Sequence, residues 1–109
     1  MTDDKANFKI LPPKLPKEIY KLDFLNNSIQ NEACFSSGVI CDCSIKNQLA
    51  EHVTLKQIIF RNVIFEHVSF KFLDLMDIRF ENCDLSNVDL SGAVIHRTEI
   101  INWALELKI

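Results

Sequence analysis

Between residues 53 and 102 the chain reads as ten consecutive five-residue units, and that period leaves few folds open. The unit centres are Leu55, Phe60, Phe65, Phe70, Leu75, Phe80, Leu85, Leu90, Ile95 and Ile100, all apolar. Two positions before them stand Val53, Ile58, Val63, Val68, Leu73, Ile78, Cys83, Val88, Ala93 and Thr98, of which only Thr98 is polar. The remaining thirty positions hold six apolar residues: Ile59, Ile64, Phe72, Met76, Val94 and Ile101. The score of 19 in 20 against 6 in 30 singles out five as the period of the buried face.

Five suits neither regular element. On an α-helix five residues advance about 500°, so the ten centres would scatter around the axis. On a straight strand, positions five apart point to opposite faces. Both apolar sets turn inward if the chain runs as a strand for three residues and then rounds a corner. The centre and the residue two before it then share a face through the two-residue strand period. Bends of one sense, repeated, make a coil, and stacked coils bury a continuous core.

Charge spacing indicates four units per coil. Lys46 and Glu66, Glu51 and Lys71, Arg61 and Glu81, Arg79 and Glu99, and Asp77 and Arg97 are all twenty residues apart and all opposite in sign. Four units per coil would stack these partners about 4.8 Å apart. Asn62, Asn82 and Asn102 share the same lag and suit a corner ladder of amides. The lag also predicts the inward columns. These are Phe35–Leu55–Leu75–Ile95, Ile40–Phe60–Phe80–Ile100, Ile45–Phe65–Leu85 and Ala50–Phe70–Leu90. Three columns carry phenylalanine in coil 51–70, enough to fill the axis.

The stretches Cys83-Asp84-Leu85-Ser86-Asn87, Val88-Asp89-Leu90-Ser91-Gly92 and Ala93-Val94-Ile95-His96-Arg97 resemble the pentapeptide-repeat family. Its usual unit is a small residue, Asp or Asn, Leu or Phe, Ser or Thr, then any residue. The resemblance implies an all-β fold, a right-handed quadrilateral parallel β-helix, here of about three and a half coils counted from Phe35. Other units carry Val, Ile or Leu where the family prefers Ala, which implies a slightly swollen cross-section.

At 109 residues the chain is expected to form one domain near the low end of independent folding. The formal net charge of −3 argues against direct nucleic-acid binding, which requires a basic face. No apolar run is long enough to span a membrane. The first residues lack the apolar core of a signal peptide, so a cytoplasmic location is expected. Cys34, Cys41, Cys43 and Cys83 lack zinc-site spacing and are read as free thiols.

Residues 1–21 contain Pro12, Pro13 and Pro16 and read as an extended lead-in, with Lys14, Lys17 and Lys21 solvated. Residues 22–109 make the repeat domain. Its segment 22–32 is irregular, with one residue inserted near Gln30–Glu32, and is expected to cover the first coil's open end. Residues 101–109 are a C-terminal cap or dimer segment, as a strand or a short helix.

No catalytic, metal or cofactor constellation emerges. His52, His67 and His96 fall at outward positions in different columns. Asp84 and Asp89 lie on neighbouring sides and diverge, so they cannot work as a general acid and base. Gly38 and Gly92 are isolated and form no phosphate loop. A non-enzymatic protein-interaction or scaffold role is the leading expectation. The alternative comes from the family: some members look like a rod of B-form DNA and bind DNA gyrase or related topoisomerases. Here Asp74, Asp77, Glu81, Asp84 and Asp89, opposed by Lys71 and Arg79, would form the acidic partner face of such a mimic. The repeat also stops halfway round a coil at Ile100, exposing apolar columns and strand backbone. A homodimer joined end to end through Trp103, Leu105, Leu107 and Ile109 is therefore expected.

Overall fold

The computed structural model describes residues 8–9, 12–15, 20–21 and 29–101. Strands β1 (Phe8–Lys9) and β2 (Tyr20–Lys21) belong to the lead-in. They are followed by β3 (Cys34–Glu51), β4 (Thr54–Lys71), β5 (Asp74–Glu81), β6 (Val88–Asp89) and β7 (Val94–Ile101). The fold is all-β. Parallel strands stack as a β-solenoid of about three turns. The register is twenty residues throughout: Phe35 lies beside Leu55, Leu55 beside Leu75 and Leu75 beside Ile95. Ile40, Phe60, Phe80 and Ile100 align in the same way.

A backbone device explains how an 18-residue strand can coil. Almost every fifth residue adopts a left-handed conformation, from Glu32, Ser37, Asp42 and Asn47 through to Asn82, Gly92 and Arg97. Seven of the twelve non-glycine cases are Asn, Asp or His, which accept that region more readily than most residues. Each left-handed residue turns the strand between two extended stretches. Asn87 departs from this series. Around it the family-like units 83–92 make tight turns, in which Asp84 accepts the Ser86 N–H (3.0 Å) and hydroxyl (2.7 Å). Asp89 accepts the same two groups from Ser91.

Of the twenty inward positions between 53 and 100, all but Ala93 and Ile95 are buried. Phe60 and Phe80 stack with ring centroids 5.0 Å apart, and Phe65 meets both at a tilt. The axis is almost filled. A void of about 20 Å³ remains, lined by apolar residues including Phe60, Phe65, Phe70 and Phe80. That is room for about one water, with no polar partner to hold it.

The described strands of the lead-in pair with the solenoid, and Lys14 between them is exposed. β1 pairs antiparallel with β7, placing Phe8 beside Ile100 and Lys9 beside Glu99. β2 pairs parallel with β3, placing Tyr20 beside Gly38 and Lys21 beside Val39. Its lag is eighteen, against twenty in the regular coils. From Asn31 the lag is twenty: Asn31 Oδ1 accepts the Glu51 N–H, and Ile29 is buried in the core. Residues 22–28, with most of the expected irregular coil, lie outside the described residues, as do 102–109.

Packing sets a sharp contrast between two apolar residues. Phe65 is 4% exposed at the centre of the aromatic cluster, whereas Leu49 is 79% exposed. Phe65→Ala is expected to cost about 3–5 kcal/mol. Leu49→Ala is expected to stay within about 0.5 kcal/mol of the parent. Urea unfolding of the two variants checks this, and near-parental stability of Phe65→Ala would contradict the packing.

Candidate functional site

The outward side chains form ladders along the axis. Arg61 and Glu81 pair at 2.7 Å, Arg79 and Glu99 at 3.1 Å, and Lys46 and Glu66 at 3.5 Å. Arg97 grips Asp77 with two nitrogens. Glu51 and Lys71 are in register across β3 and β4. The amide ladder is present and continues into a carboxylate. Asn82 Nδ2 donates to Asn62 Oδ1 at 2.8 Å, and Asn62 Nδ2 donates to Asp42 Oδ1 at 2.9 Å. Asn102 lies outside the described residues.

The five carboxylates expected to form an acidic face are dispersed. Asp74 shares a column with Thr54 and Val94, Glu81 with Arg61 and Ile101, Asp84 with Ile64, and Asp89 with Ser69. Asp77 is buried in its bidentate pair with Arg97 and also accepts the Lys14 N–H at 3.0 Å. Glu81 lies between Arg61 and Arg79. Asp84 and Asp89 are engaged by the serines two residues on. Asp74 Oδ1 is buried without a hydrogen-bond partner. Twenty-residue stacking turns consecutive acidic residues toward different sides, and the intervening arginines neutralise two of them.

These contacts shift protonation. The Arg97 hydrogen bond holds the Asp77 carboxyl below its usual range; burial opposes this and the Lys14 N–H adds to it. Burial raises the Glu81 carboxyl, but Arg61 and Arg79 outweigh it and the net shift is downward. Burial pushes the Cys83 thiol up to about 11, which makes it an unreactive thiol at neutral pH. Cys34, Cys41, Cys43 and Cys83 are all free.

Chemistry-bearing groups do not converge among the described residues. An open groove of about 480 Å³ runs past His67, Ser69, Ser86, Asn87, Asp89 and Ser91. The Ser86 and Ser91 hydroxyls donate to carboxylates, so this contact gives them no activating imidazole. No three His, Cys, Asp or Glu side chains gather as metal ligands among the described residues. No helix of the described residues is long and apolar enough to cross a membrane. Trp103, Leu105, Leu107 and Ile109 lie outside the described residues.

The family model for pentapeptide repeats (8 copies) matches residues 74–102. That stretch is similar to pentapeptide repeats. No curated protein and no solved structure matches the chain. The pentapeptide-repeat match supports a repeat protein of non-enzymatic type. It begins at β5, whereas the same register continues back through β4 and β3. Val53, Ile58, Val63 and Val68 make the small-residue position bulky in the units of β4, while Gly38 and Cys43 keep it small in β3.

Sequence reasoning missed two surface features. Phe72 occupies a left-handed corner with φ of 59°, stacks on His52 at 5.0 Å and remains half exposed. Its ring lies so close to Gly92 that a Cβ there would fall 2.6 Å from Phe72 Cδ1. The second feature is Ile59, which points outward by strand alternation yet is buried. The signal was Ile59 itself, an apolar residue at an outward position.

The lowered carboxyls make stability depend on pH. A carboxyl whose pKa falls on folding stabilises above its unfolded range and loses that contribution as pH drops through the folded value. Stability is therefore expected to decline as pH falls below about 4. Asp77→Asn should reduce stability at neutral pH and flatten that decline. Urea midpoints measured across the acid range check this, and parallel curves for variant and parent would contradict it.

Proposed function

We propose that the chain is a protein-interaction scaffold, a stiff solenoid that binds a protein partner along the corner carrying Phe72. The observation that carries this reading is the cost of Phe72 at its position. A bulky residue in the left-handed region is strained by about 1–2 kcal/mol. Asn, Asp or His fill seven of the eleven other non-glycine corners, and none of the eleven carries another large apolar residue. The aromatic ring is half exposed and contributes nothing to the central core. Stacking on His52 recovers part of the cost. Aromatic side chains presented in this way are frequent anchors of protein interfaces. Leu49, the most exposed large apolar residue described, is a second candidate contact.

The alternative, occupation of a topoisomerase's DNA groove by an acidic rod, has less support. Asp77 and Glu81 are neutralised by arginines, and the other three carboxylates of the set fall in separate columns. Gyrase supercoiling unchanged by a large excess of the protein would remove that alternative for this enzyme.

The scaffold reading predicts that binding separates from folding. Phe72→Asn is expected to keep or raise thermal stability, because it relieves backbone strain. The same variant, alone or with Leu49→Ser, is expected to lose partners that the parent captures from its host's lysate. Identical capture by parent and variants would contradict the role given to this corner.

A further inference from the structure

The two ends of one solenoid side are held by the same short stretch of chain. β1 lies on the β7 edge at Glu99 and Ile100, and β2 lies on the β3 edge at Gly38 and Val39. Val39, Ile59, Arg79 and Glu99 form a single column through the registers of β3, β4, β5 and β7. The described strands of this stretch, Phe8–Lys9 and Tyr20–Lys21, therefore sit at opposite ends of the coil stack on this side, and the stretch that joins them is called the strap. Ile59, midway between the anchor points, is the outward apolar residue that is buried.

The strap is pinned at its middle. The Lys14 N–H donates to Asp77 Oδ1 at 3.0 Å, and Gln57 Nε2 donates to the Lys14 carbonyl at 3.3 Å. Gln57 and Asp77 are twenty residues apart, so the Lys14 peptide group is inserted into a corner ladder. At the Asn62–Asn82 corner the equivalent side chains bond to each other directly. Asp77 is the stronger pin, since Arg97 fixes its carboxylate from the other side.

The core records where the strap provides cover. Ile40 and Ile100, the two ends of the column beside the strap's strands, are 1% and 4% exposed. Phe35 and Ile95, the ends of the neighbouring column, are only partly buried. Ala93 and Val94 are also incompletely covered at the β7 end.

We propose that β1 is a self-capping strand competing with a second copy of this chain for the β7 edge. An unpaired strand edge is a template for another strand. The direction of pairing selects the competitor. β1 runs antiparallel to β7, whereas every coil-to-coil pairing in the solenoid is parallel. The β7 edge therefore accepts an antiparallel strand, and a two-fold axis across that edge places β7 against its own copy in antiparallel sense. The same pairing would cover Ala93, Val94 and Ile95. Strap and second copy cannot both occupy Glu99 and Ile100. The end-to-end homodimer expected from sequence thus becomes conditional on release of the strap. This inference is independent of the partner proposed for the Phe72 corner.

The test is sedimentation equilibrium of the full-length chain and strap-released variants, with circular dichroism as the check on folding. Phe8→Pro with Lys9→Pro removes the β1 donors, and Asp77→Ala removes the pin. The parent is expected to be monomeric at micromolar concentration, and both released forms dimeric, with self-association at least tenfold tighter. Adding Val94→Lys and His96→Lys to the proline variant should return it to monomer by guarding the edge with like charges. Folded proline variants that stay monomeric would overturn the proposal. So would a parent that dimerises as tightly as the variants, or a dimer that survives the guard lysines.

Discussion

A parallel ladder between coils survives only if the chain returns to the same place after each circuit, and here the return depends on one left-handed residue in nearly every five. That conformation is unfavourable for most L-amino acids. Left-handed residues spaced by five bring the chain back after twenty residues, and the contacts between successive coils follow from the return. The Phe60–Phe80 stack, the Arg61–Glu81 pair and the Asn82–Asn62–Asp42 ladder all have that lag. Burial of two inward side chains per unit, worth roughly 1.5–3 kcal/mol for each large one before chain entropy, offsets the corner strain. Polar pairs outside add less, because exposed ion pairs contribute only about 0.2–1 kcal/mol each.

Periodic features were readable from sequence because a repeat converts spacing into proximity. The columns of Phe35, Ile40, Ile45 and Ala50, and the ion pairs of Arg61, Arg79 and Arg97, needed only the lag of twenty. The same spacing places the five acidic residues in different columns. Asp74, Asp77, Glu81, Asp84 and Asp89 are close in sequence, but a coil sends neighbours to different sides. The corner conformation was legible in part, since Asn and Asp recur at its positions, but Phe72 hides its own corner by breaking that preference. The strap was not legible. Residues 8–21 contain no repeat, their prolines suggest only an extended path, and their partners Asp77 and Gln57 lie far away in sequence.

The strap changes how the ends of the solenoid are viewed. A coil stack has two open edges, and this chain brings one segment to both. Its strands protect backbone, while Lys14 is gripped where Asp77 already serves an ion pair. One carboxylate thus joins stability, strap attachment and acid sensitivity. The surface proposed for a partner is what these internal pairings leave exposed: the Phe72 corner and Leu49.

The twenty-residue parallel register is tested most directly by nuclear Overhauser contacts between backbone protons in solution. Contacts linking Phe35 with Leu55, Phe60 with Phe80 and Ile78 with Thr98 are predicted, all at the same separation. Long-range contacts at some other separation, or sequential helical contacts through residues 53–81, would contradict the solenoid.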